Sequence, residues 1–283
     1  MSRLVAIGCS LTEYPYPTWA DMAGTHFDEY YNLGNSGCGH VYMHNIFHEA
    51  DAILKLGKGD TVMLMSTSFV RHDVWLPHET KLVEWGWQGS GNVWQPGKFS
   101  DDFFLYAYSN ASCLMQTYAC LKSISDICKF KEIDFYLFKG FDTDVLKQDY
   151  EVVNLEFYIN LLEDLFTIDK KGFYPFLVER FSNQGFRFDK ESGNKITGYQ
   201  YEDVDFLDAH PTITMHNSYL QEIAPQFAIP SERVEQLESE LKLDSQESNR
   251  SVVAFNKMRG KRLGSLISRQ MSNDNMYNFR HSF

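Results

Sequence analysis

The sequence predicts an α/β fold, a three-layer α/β/α sandwich around a central, mainly parallel sheet. Two observations predict it. Short apolar segments recur along the chain, each bounded by Gly or polar residues, as is typical of strands buried on both faces of a parallel sheet. Longer segments with the helical spacing of apolar residues alternate with them, in the order expected of β-α units.

The strands are predicted first from their apolar composition. The first strand has the entirely apolar sequence LVAI, and the second, YYNL, ends at the Gly-rich turn GNSGCG. The third and fourth strands have the mostly apolar sequences TVMLMS and IDFYLF. The four predicted strands, in chain order, are residues 4–7, 30–33, 61–66 and 133–138.

Helices are predicted between and after these strands from the spacing of their apolar residues. Two intervening stretches lack any clear period and are predicted to be irregular: a Trp-rich loop insertion near 76–100 and a polar segment at 172–205. The predicted helices are residues 19–23, 40–56, 102–129, 150–166, 218–227 and 231–243.

The chain is predicted to divide into a catalytic domain, 1–230, and a C-terminal helix with a basic tail, 231–283. From Arg250 onward there are seven Lys or Arg residues and one acid, in a chain whose net charge is −12. A basic tail on an acidic body predicts docking on the body, on an acidic partner or on a second copy, so self-association through the tail is expected.

Composition also excludes several classes of function. The net charge of −12 argues against a nucleic-acid binder. No apolar run has the length of a membrane span, so no membrane partner is expected. The five cysteines include no CxxC pair, which favours reduced thiols and a cytoplasmic location. No cofactor and no bound metal are expected.

Ser10 is the first candidate for chemistry. It follows the first strand on the turn Gly8-Cys9-Ser10, where its hydroxyl could attack a substrate and its N–H could help to hold an oxyanion. Taken alone, a serine here is more typical of a cap for the next segment. Cys9 and Cys38 adjoin the candidate site and are interpreted as small buried thiols.

The second candidate is the segment Asp208-Ala209-His210-Pro211. Pro211 biases its predecessor away from helix, so His210 is predicted to lie in a loop. A histidine there can accept the serine proton while Asp208 orients its ring. An ordinary acidic turn is the plainer interpretation of the segment by itself.

In combination, these segments resemble the SGNH/GDSL serine hydrolases. The blocks that carry the resemblance are Gly8-Cys9-Ser10-Leu11-Thr12, Asn32-Leu33-Gly34-Asn35-Ser36-Gly37 and Asp208-Ala209-His210-Pro211, spread over residues 1–230. The resemblance implies a flavodoxin-like sandwich and a Ser10–His210–Asp208 triad. It also implies that the N–H groups of Ser10 and Gly37 donate to the oxyanion.

The chain departs from this pattern at two places. The family's acid lies three residues before the histidine, where this chain has Leu207. The family's third block supplies an Asn side chain to the oxyanion hole, whereas the matching segment, residues 66–73, contains none. Ser68 is expected in its place, or failing that Arg71 or His72.

We therefore expect a hydrolase that cleaves a small ester, with an O-acetyl group on a carbohydrate as the preferred substrate because of the aromatic insertion. Transfer of the acyl group to another acceptor would use the same triad. One alternative is an SGNH-like binding or structural module with weak or no activity. Another is a metal-dependent hydrolase that uses His40, His44 and His48, which share one helix face.

Overall fold

The computed structural model describes residues 2–14, 16–76, 86–92, 100–141, 155–168, 171–181, 187–188, 195–196 and 210–246. Asp208, Leu207 and the predicted tail therefore lie outside the described residues. The same is true of Trp85 and Trp94 of the insertion.

A four-stranded parallel sheet forms the centre of the molecule. Its strands are β1 (Arg3–Ile7), β2 (Glu29–Asn32), β3 (Asp60–Ser66) and β6 (Asp134–Lys139), in the order β2-β1-β3-β6. The residues 4–7 of β1 and 62–65 of β3 are wholly buried, so the core is centred on these two strands. Helices pack around the sheet, and the predicted fold class is confirmed.

The helices form two groups. The first contains α2 (His40–Leu54), α4 (Asn110–Phe130) and α5 (Leu155–Glu163), and the second contains α1 (Trp19–Gly24), α6 (Phe173–Phe181), α7 (Ile213–Ile223) and α8 (Ser231–Gln246). The short helix α3 (Asp101–Tyr106) precedes α4, and a 3₁₀ turn (Pro225–Phe227) follows α7. On α8, the predicted apolar positions Val234, Leu237 and Leu241 are buried.

The strand order indicates where on the sheet a ligand would bind. From β1 the chain crosses to β2 on one side, and from β2 it passes back to β3 on the other side of β1. Right-handed crossovers therefore put α1 and α2 on opposite faces of the sheet. The carboxyl ends of β1 and β3 border the crevice between the two crossovers, which is where open parallel sheets bind ligands.

Two stretches that the sequence predicts to be irregular contain regular structure. Strand β5 (Gly86–Asn92) lies within the predicted loop insertion and forms an antiparallel hairpin with β4 (Arg71–Leu76), which ends where the insertion begins. The second stretch contains α6 and a short pair of strands, β7 (Arg187–Phe188) and β8 (Lys195–Ile196). The Gly, Gln and Asn residues of β5 are rare in strands, so propensity alone indicates a loop there.

The predicted helix at 102–129 is in fact two helices. The chain leaves the helical conformation after Tyr106, and Ser109 begins α4 by accepting a hydrogen bond from the Ser112 N–H. Ser, Thr and Asn side chains compete with the helix for backbone groups, so the Ser109-Asn110 pair favours a new helix start. Among the described residues, no helix combines the length and the apolar character needed to cross a membrane.

Candidate active site

Ser10 lies in a tight turn immediately beyond β1. The backbone N–H groups of Thr12 and Glu13 both donate to the Cys9 carbonyl, at 2.9 and 3.1 Å. This turn presents Ser10 at the carboxyl end of β1, a central strand of the sheet. Ser10 is nevertheless largely enclosed, since only 8% of its surface is exposed.

Buried side chains from two other elements hold the end of this turn. The Thr12 carbonyl accepts a hydrogen bond from Thr18 Oγ1 at 2.7 Å and another from Asn32 Nδ2 at 2.9 Å. Thr18 begins α1 and Asn32 ends β2, so both neighbours of the turn fix its position. A nucleophile gains from such support because it has little freedom to lose when it reacts.

His210 is brought to the same turn by an aromatic contact. Its imidazole stacks on the Tyr14 ring, with centroids 3.9 Å apart and an interplanar angle of 26°. Tyr14 is four positions beyond Ser10 and packs in turn against the Tyr16 ring at 4.7 Å. The structure thus places a histidine from late in the chain beside the Ser10 turn. The partners of its ring nitrogens, Ser10 and Asp208, stay predictions.

A second histidine lies behind the first. His216, on α7, is 1% exposed and packs against the Phe173 ring at 4.9 Å. Burial, and then the charge of nearby His210, lowers the pKa of His216 to about 3. His216 is therefore neutral at physiological pH and adds no positive charge to repel a protonated His210.

The loop after β2 is tied to the loop after β1. Asn35 N–H donates to the Gly8 carbonyl at 3.0 Å, and the Gly34 N–H donates to Asn32 Oδ1 at 3.0 Å. Gly37 adopts a φ of 76°, a left-handed conformation that favours glycine. The predicted donor Gly37 thus lies in a loop bonded to the one that carries Ser10.

The loop after β3 is tied to the β2 loop in turn. Arg71 Nη1 donates to the Cys38 carbonyl at 3.1 Å. The Asp73 carboxylate accepts from the N–H groups of Gly39 and Tyr42, at 2.6 and 2.8 Å, and so occupies the amino end of α2. Three loops, one from each of β1, β2 and β3, are thereby joined into one structure around the sheet edge.

His40, the first residue of α2, reinforces this junction. Its Nε2 accepts from the Thr67 N–H at 3.4 Å, and its Nδ1 faces Thr117 Oγ1 at 3.1 Å. Burial, and then the charge of Arg71, lowers the pKa of His40 to about 3. His40 is thus a neutral, buried link between α2, α4 and the β3 loop.

The candidates for the third oxyanion donor occupy different surroundings. Ser68 is half-buried, and its carbonyl accepts from the Arg71 N–H at 3.3 Å. The His72 ring packs against Phe103 of α3 at 5.3 Å. The Arg71 side chain donates a hydrogen bond to the β2 loop.

The pKa of Cys9 reflects several groups of these loops. Burial acts to raise the pKa of the thiol, but the Arg71 guanidinium, the Leu11 N–H and the Thr67 hydroxyl favour the thiolate, and the net pKa is lowered. Cys38, by contrast, has its pKa raised by burial and by the charge of Asp73. Both thiols are buried and free, as the sequence predicts.

The three histidines of α2 do not converge on one point. His40 faces Thr67 and Thr117, whereas His44 Nε2 contacts His48 Nε2 at 3.0 Å and Ser123 Oγ at 3.2 Å. In the part of the chain that the structure describes, no group of three His, Cys, Asp or Glu residues could hold a metal ion. The geometry of this helix gives the metal-dependent alternative no support.

Sequence reasoning misses the contacts of three residues that shape the site, namely Cys9, Thr67 and Asp73. The position of Thr67 after an apolar strand is typical of any strand end. The sequence around Asp73 predicts only a solvent-exposed aspartate. The role of Asp73 depends on a hairpin that was not predicted, so no local pattern could have revealed it.

No protein-family model matches the sequence, and no curated protein matches it either. Among solved structures, the chain is similar to a member of the lipolytic G-D-S-L family from Veillonella parvula, with 15% identity and a TM-score of 0.34 over 66% of this chain and 85% of that one. It is also similar to a GDSL-like lipase from Bacteroides thetaiotaomicron, with 14% identity and a TM-score of 0.38 over 83% of this chain and 88% of that one. At this level of similarity, any functional argument has to come from the site residues themselves.

Proposed function

We propose that this chain is a serine hydrolase that cleaves a small ester, with Ser10 as nucleophile, His210 as general base and Asp208 as the partner of His210. The observation that carries the proposal is the stack of His210 on Tyr14. It brings a candidate base, from a distant part of the sequence, to the turn that presents a candidate nucleophile.

The proposed reaction is acyl transfer to water. Ser10 Oγ attacks the ester carbonyl carbon while His210 accepts the hydroxyl proton, and the carbonyl oxygen becomes an oxyanion. The N–H groups of Ser10 and Gly37 stabilise that oxyanion. When the tetrahedral intermediate collapses, His210 returns its proton to the departing alcohol. Water, activated by His210, then releases the acid from Ser10.

The stack on Tyr14 has a role in this scheme. It fixes the plane of the imidazole, which must point one nitrogen at Ser10 and the other at Asp208. It also covers one face of the ring with a neutral aromatic surface, and the face of an aromatic ring favours a neighbouring cation. Tyr14 would therefore favour His210 when it holds the serine proton.

We further propose an O-acetyl group on a carbohydrate as the substrate. The support for this is the aromatic character of the insertion, whose Trp87 lies directly opposite Trp75 of β4 in the β4–β5 hairpin. This hairpin begins at Arg71, so it extends from the edge of the proposed active site.

Hydrolysis of p-nitrophenyl acetate tests the proposal. We expect Ser10→Ala and His210→Gln each to lower kcat by at least about 10³-fold, the scale of losing a triad member. We expect Tyr14→Leu to lower kcat more than Tyr14→Phe, which keeps the stack. Matched controls are Ser239→Ala and His26→Ala, since both residues are exposed and lie elsewhere. Turnover by the wild type that survives Ser10→Ala would contradict the proposal.

A further inference from the structure

We propose that Arg71 is the third oxyanion donor, a cationic group in the place where the sequence pattern calls for an Asn amide. We also propose that the Cys9 sulfur acts as a positioning residue that holds its guanidinium. This rests on the proposed function, because it assigns a catalytic role within the same site.

The first argument is the position of the guanidinium. Its Nη1 donates to the carbonyl of Cys38, which directly follows Gly37. The same group lies beside the side chain of Cys9, which directly precedes Ser10. Arg71 therefore contacts the chain neighbours of both proposed backbone donors, and it bridges the two loops from which those N–H groups come.

The backbone fixes Arg71 closely at this place. A Cβ atom on Gly39 would lie 3.0 Å from Arg71 Cβ and 3.1 Å from its carbonyl oxygen. The absence of a side chain at Gly39 is thus what lets the start of β4 approach the amino end of α2. Asp73, two positions further along β4, stabilises this contact between β4 and α2 by capping the helix.

The second argument is charge. Among the described residues, no carboxylate forms an ion pair with Arg71, and its hydrogen bond to the Cys38 carbonyl uses one of five N–H donors. Asp73 is near, but both of its oxygens accept backbone N–H groups of α2. A partly buried cation without a carboxylate partner is costly unless it serves an anion. The oxyanion of the tetrahedral intermediate is such an anion.

The third argument concerns Cys9. The Arg71 Nε and Thr67 Oγ1 atoms are buried and have no hydrogen-bond partner of standard geometry among the described residues. Both groups lie beside the Cys9 sulfur, which the Leu11 N–H also approaches. In the proposed arrangement the Cys9 sulfur, a weak acceptor, orients the Nε side of the guanidinium away from substrate. Since Cys9 is 0% exposed, it cannot itself touch a substrate.

This arrangement accounts for the missing Asn. A charge-assisted hydrogen bond is roughly twice as strong as a neutral one, so an Arg can replace an amide without loss of stabilisation. The planar guanidinium fixes several donors at once: Nη1 is held by Cys38 and Nε faces Cys9, which leaves Nη2 for the oxyanion. A rotating hydroxyl such as that of Ser68 would be a weaker substitute.

The test is the steady-state kinetics of Arg71→Gln, Arg71→Lys and Cys9→Ala with p-nitrophenyl acetate. Removal of one oxyanion donor typically costs about 10²–10³-fold in kcat. We expect that loss for Arg71→Gln with KM changed by less than about threefold, because the donor acts on the transition state. Arg71→Lys should recover about tenfold of the loss, and Cys9→Ala should lower kcat, again with little change in KM.

Arg3→Gln is the matched control for loss of a partly buried arginine. Arg3 binds Asp60 and the Leu54 carbonyl at the amino end of the sheet, far from the site, so its loss should lower stability and leave kcat unchanged. Thermal melts of every variant identify any that fail to fold, and Arg71→Lys, which keeps the charge, then carries the test.

Three outcomes would overturn the proposal. If Arg71→Gln keeps kcat within about threefold of wild type while Ser10→Ala is inactive, the hydrolase assignment stands and Arg71 is not the donor. If Ser68→Ala loses more turnover than Arg71→Gln, the third donor is Ser68. A folded wild type that neither turns over esters nor reacts at Ser10 refutes the proposed function, and the role of Arg71 falls with it.

Discussion

Single residues set the shape of the Ser10 turn, and Gly8 is the most constrained of them. A Cβ atom at this position would come within 2.9 Å of Thr12 Cβ and closer still to the Thr12 hydroxyl, with the Met65 carbonyl at 3.3 Å. Thr12 is completely buried and cannot move aside. The smallest residue is therefore required where the chain leaves β1.

We predict that Gly8→Ala lowers the free energy of unfolding by about 1–3 kcal/mol, the usual cost of overpacking a core. Because Thr12 ends the turn that holds Ser10, kcat for ester hydrolysis should fall as well. Chemical denaturation and steady-state kinetics measure the two effects.

Gly57→Ala is the control, since a Cβ there meets nothing within 4 Å. That variant should be as stable as wild type, or more stable by up to about 1 kcal/mol, with unchanged turnover. Equal effects of the two substitutions would show that the space around Gly8 does not shape the site.

For single residues, the sequence predicts a role only where the residue type itself indicates that role. Ser10, Gly37 and Arg71 are predicted from their types and from their places just after strands, and the left-handed φ of Gly37 is observed; the catalytic roles of Ser10 and Arg71 stay predictions. Thr67 and Cys9 are missed because their importance comes from what surrounds them. Burial would raise the pKa of a cysteine thiol, whereas Arg71, which comes from a different part of the chain, acts to lower that of Cys9.

Among the elements, the β4–β5 hairpin and helix α2 depend on each other. The first N–H groups of a helix lack partners within it, and here Asp73 of β4 supplies the acceptor that α2 does not provide for itself. The negative charge also interacts favourably with the positive end of the helix dipole. The same contact fixes the start of the hairpin, where Arg71 lies.

We predict that Asp73→Ala lowers the free energy of unfolding by about 0.5–2 kcal/mol, the range for loss of an amino-terminal cap. Asp73→Asn should have a smaller effect, because its amide oxygen still accepts one of the two hydrogen bonds. Urea denaturation provides the measurement, and kcat should fall with Asp73→Ala because Arg71 loses its support.

Asp126→Ala serves as the control for loss of an acid. Asp126 pairs with Lys122 on the exposed side of α4, and such pairs contribute no more than about 0.5 kcal/mol. An Asp73→Ala variant that is no less stable than Asp126→Ala would contradict the capping role.

The elements that the sequence predicts correctly are those whose composition matches their burial. All four strands of the main sheet and the helices α1, α2, α5, α7 and α8 are found, with ends that shift by a few residues.

The hairpin is missed because its second strand, Gly86–Asn92, contains three glycines and is stabilised by pairing, which propensity does not record. The helix α6 is missed although its apolar positions Phe173, Phe176 and Leu177 are buried at helical spacing. Its Pro175, tolerated in a first turn, suggests a loop instead.

In the molecule as a whole, the parallel sheet brings the loops of the candidate site to one edge. Residues from the loops after β1, β2 and β3, and His210 from just before α7, meet at one edge because parallel strands all end there. The order of the blocks along the sequence predicts this convergence. The sequence does not predict the contacts that hold the loops together, because each contact joins residues from separate β-α units.

The central claim is that Ser10 is a nucleophile activated by His210, and covalent labelling tests it most directly. The full chain would be treated with a fluorophosphonate and analysed by intact-mass spectrometry and peptide mapping. We predict a single adduct on Ser10 that is absent from Ser10→Ala and forms at least about 10²-fold more slowly in His210→Gln, because general-base assistance is worth that much. A correctly folded wild type that forms no adduct, or forms one at another residue, would contradict the account.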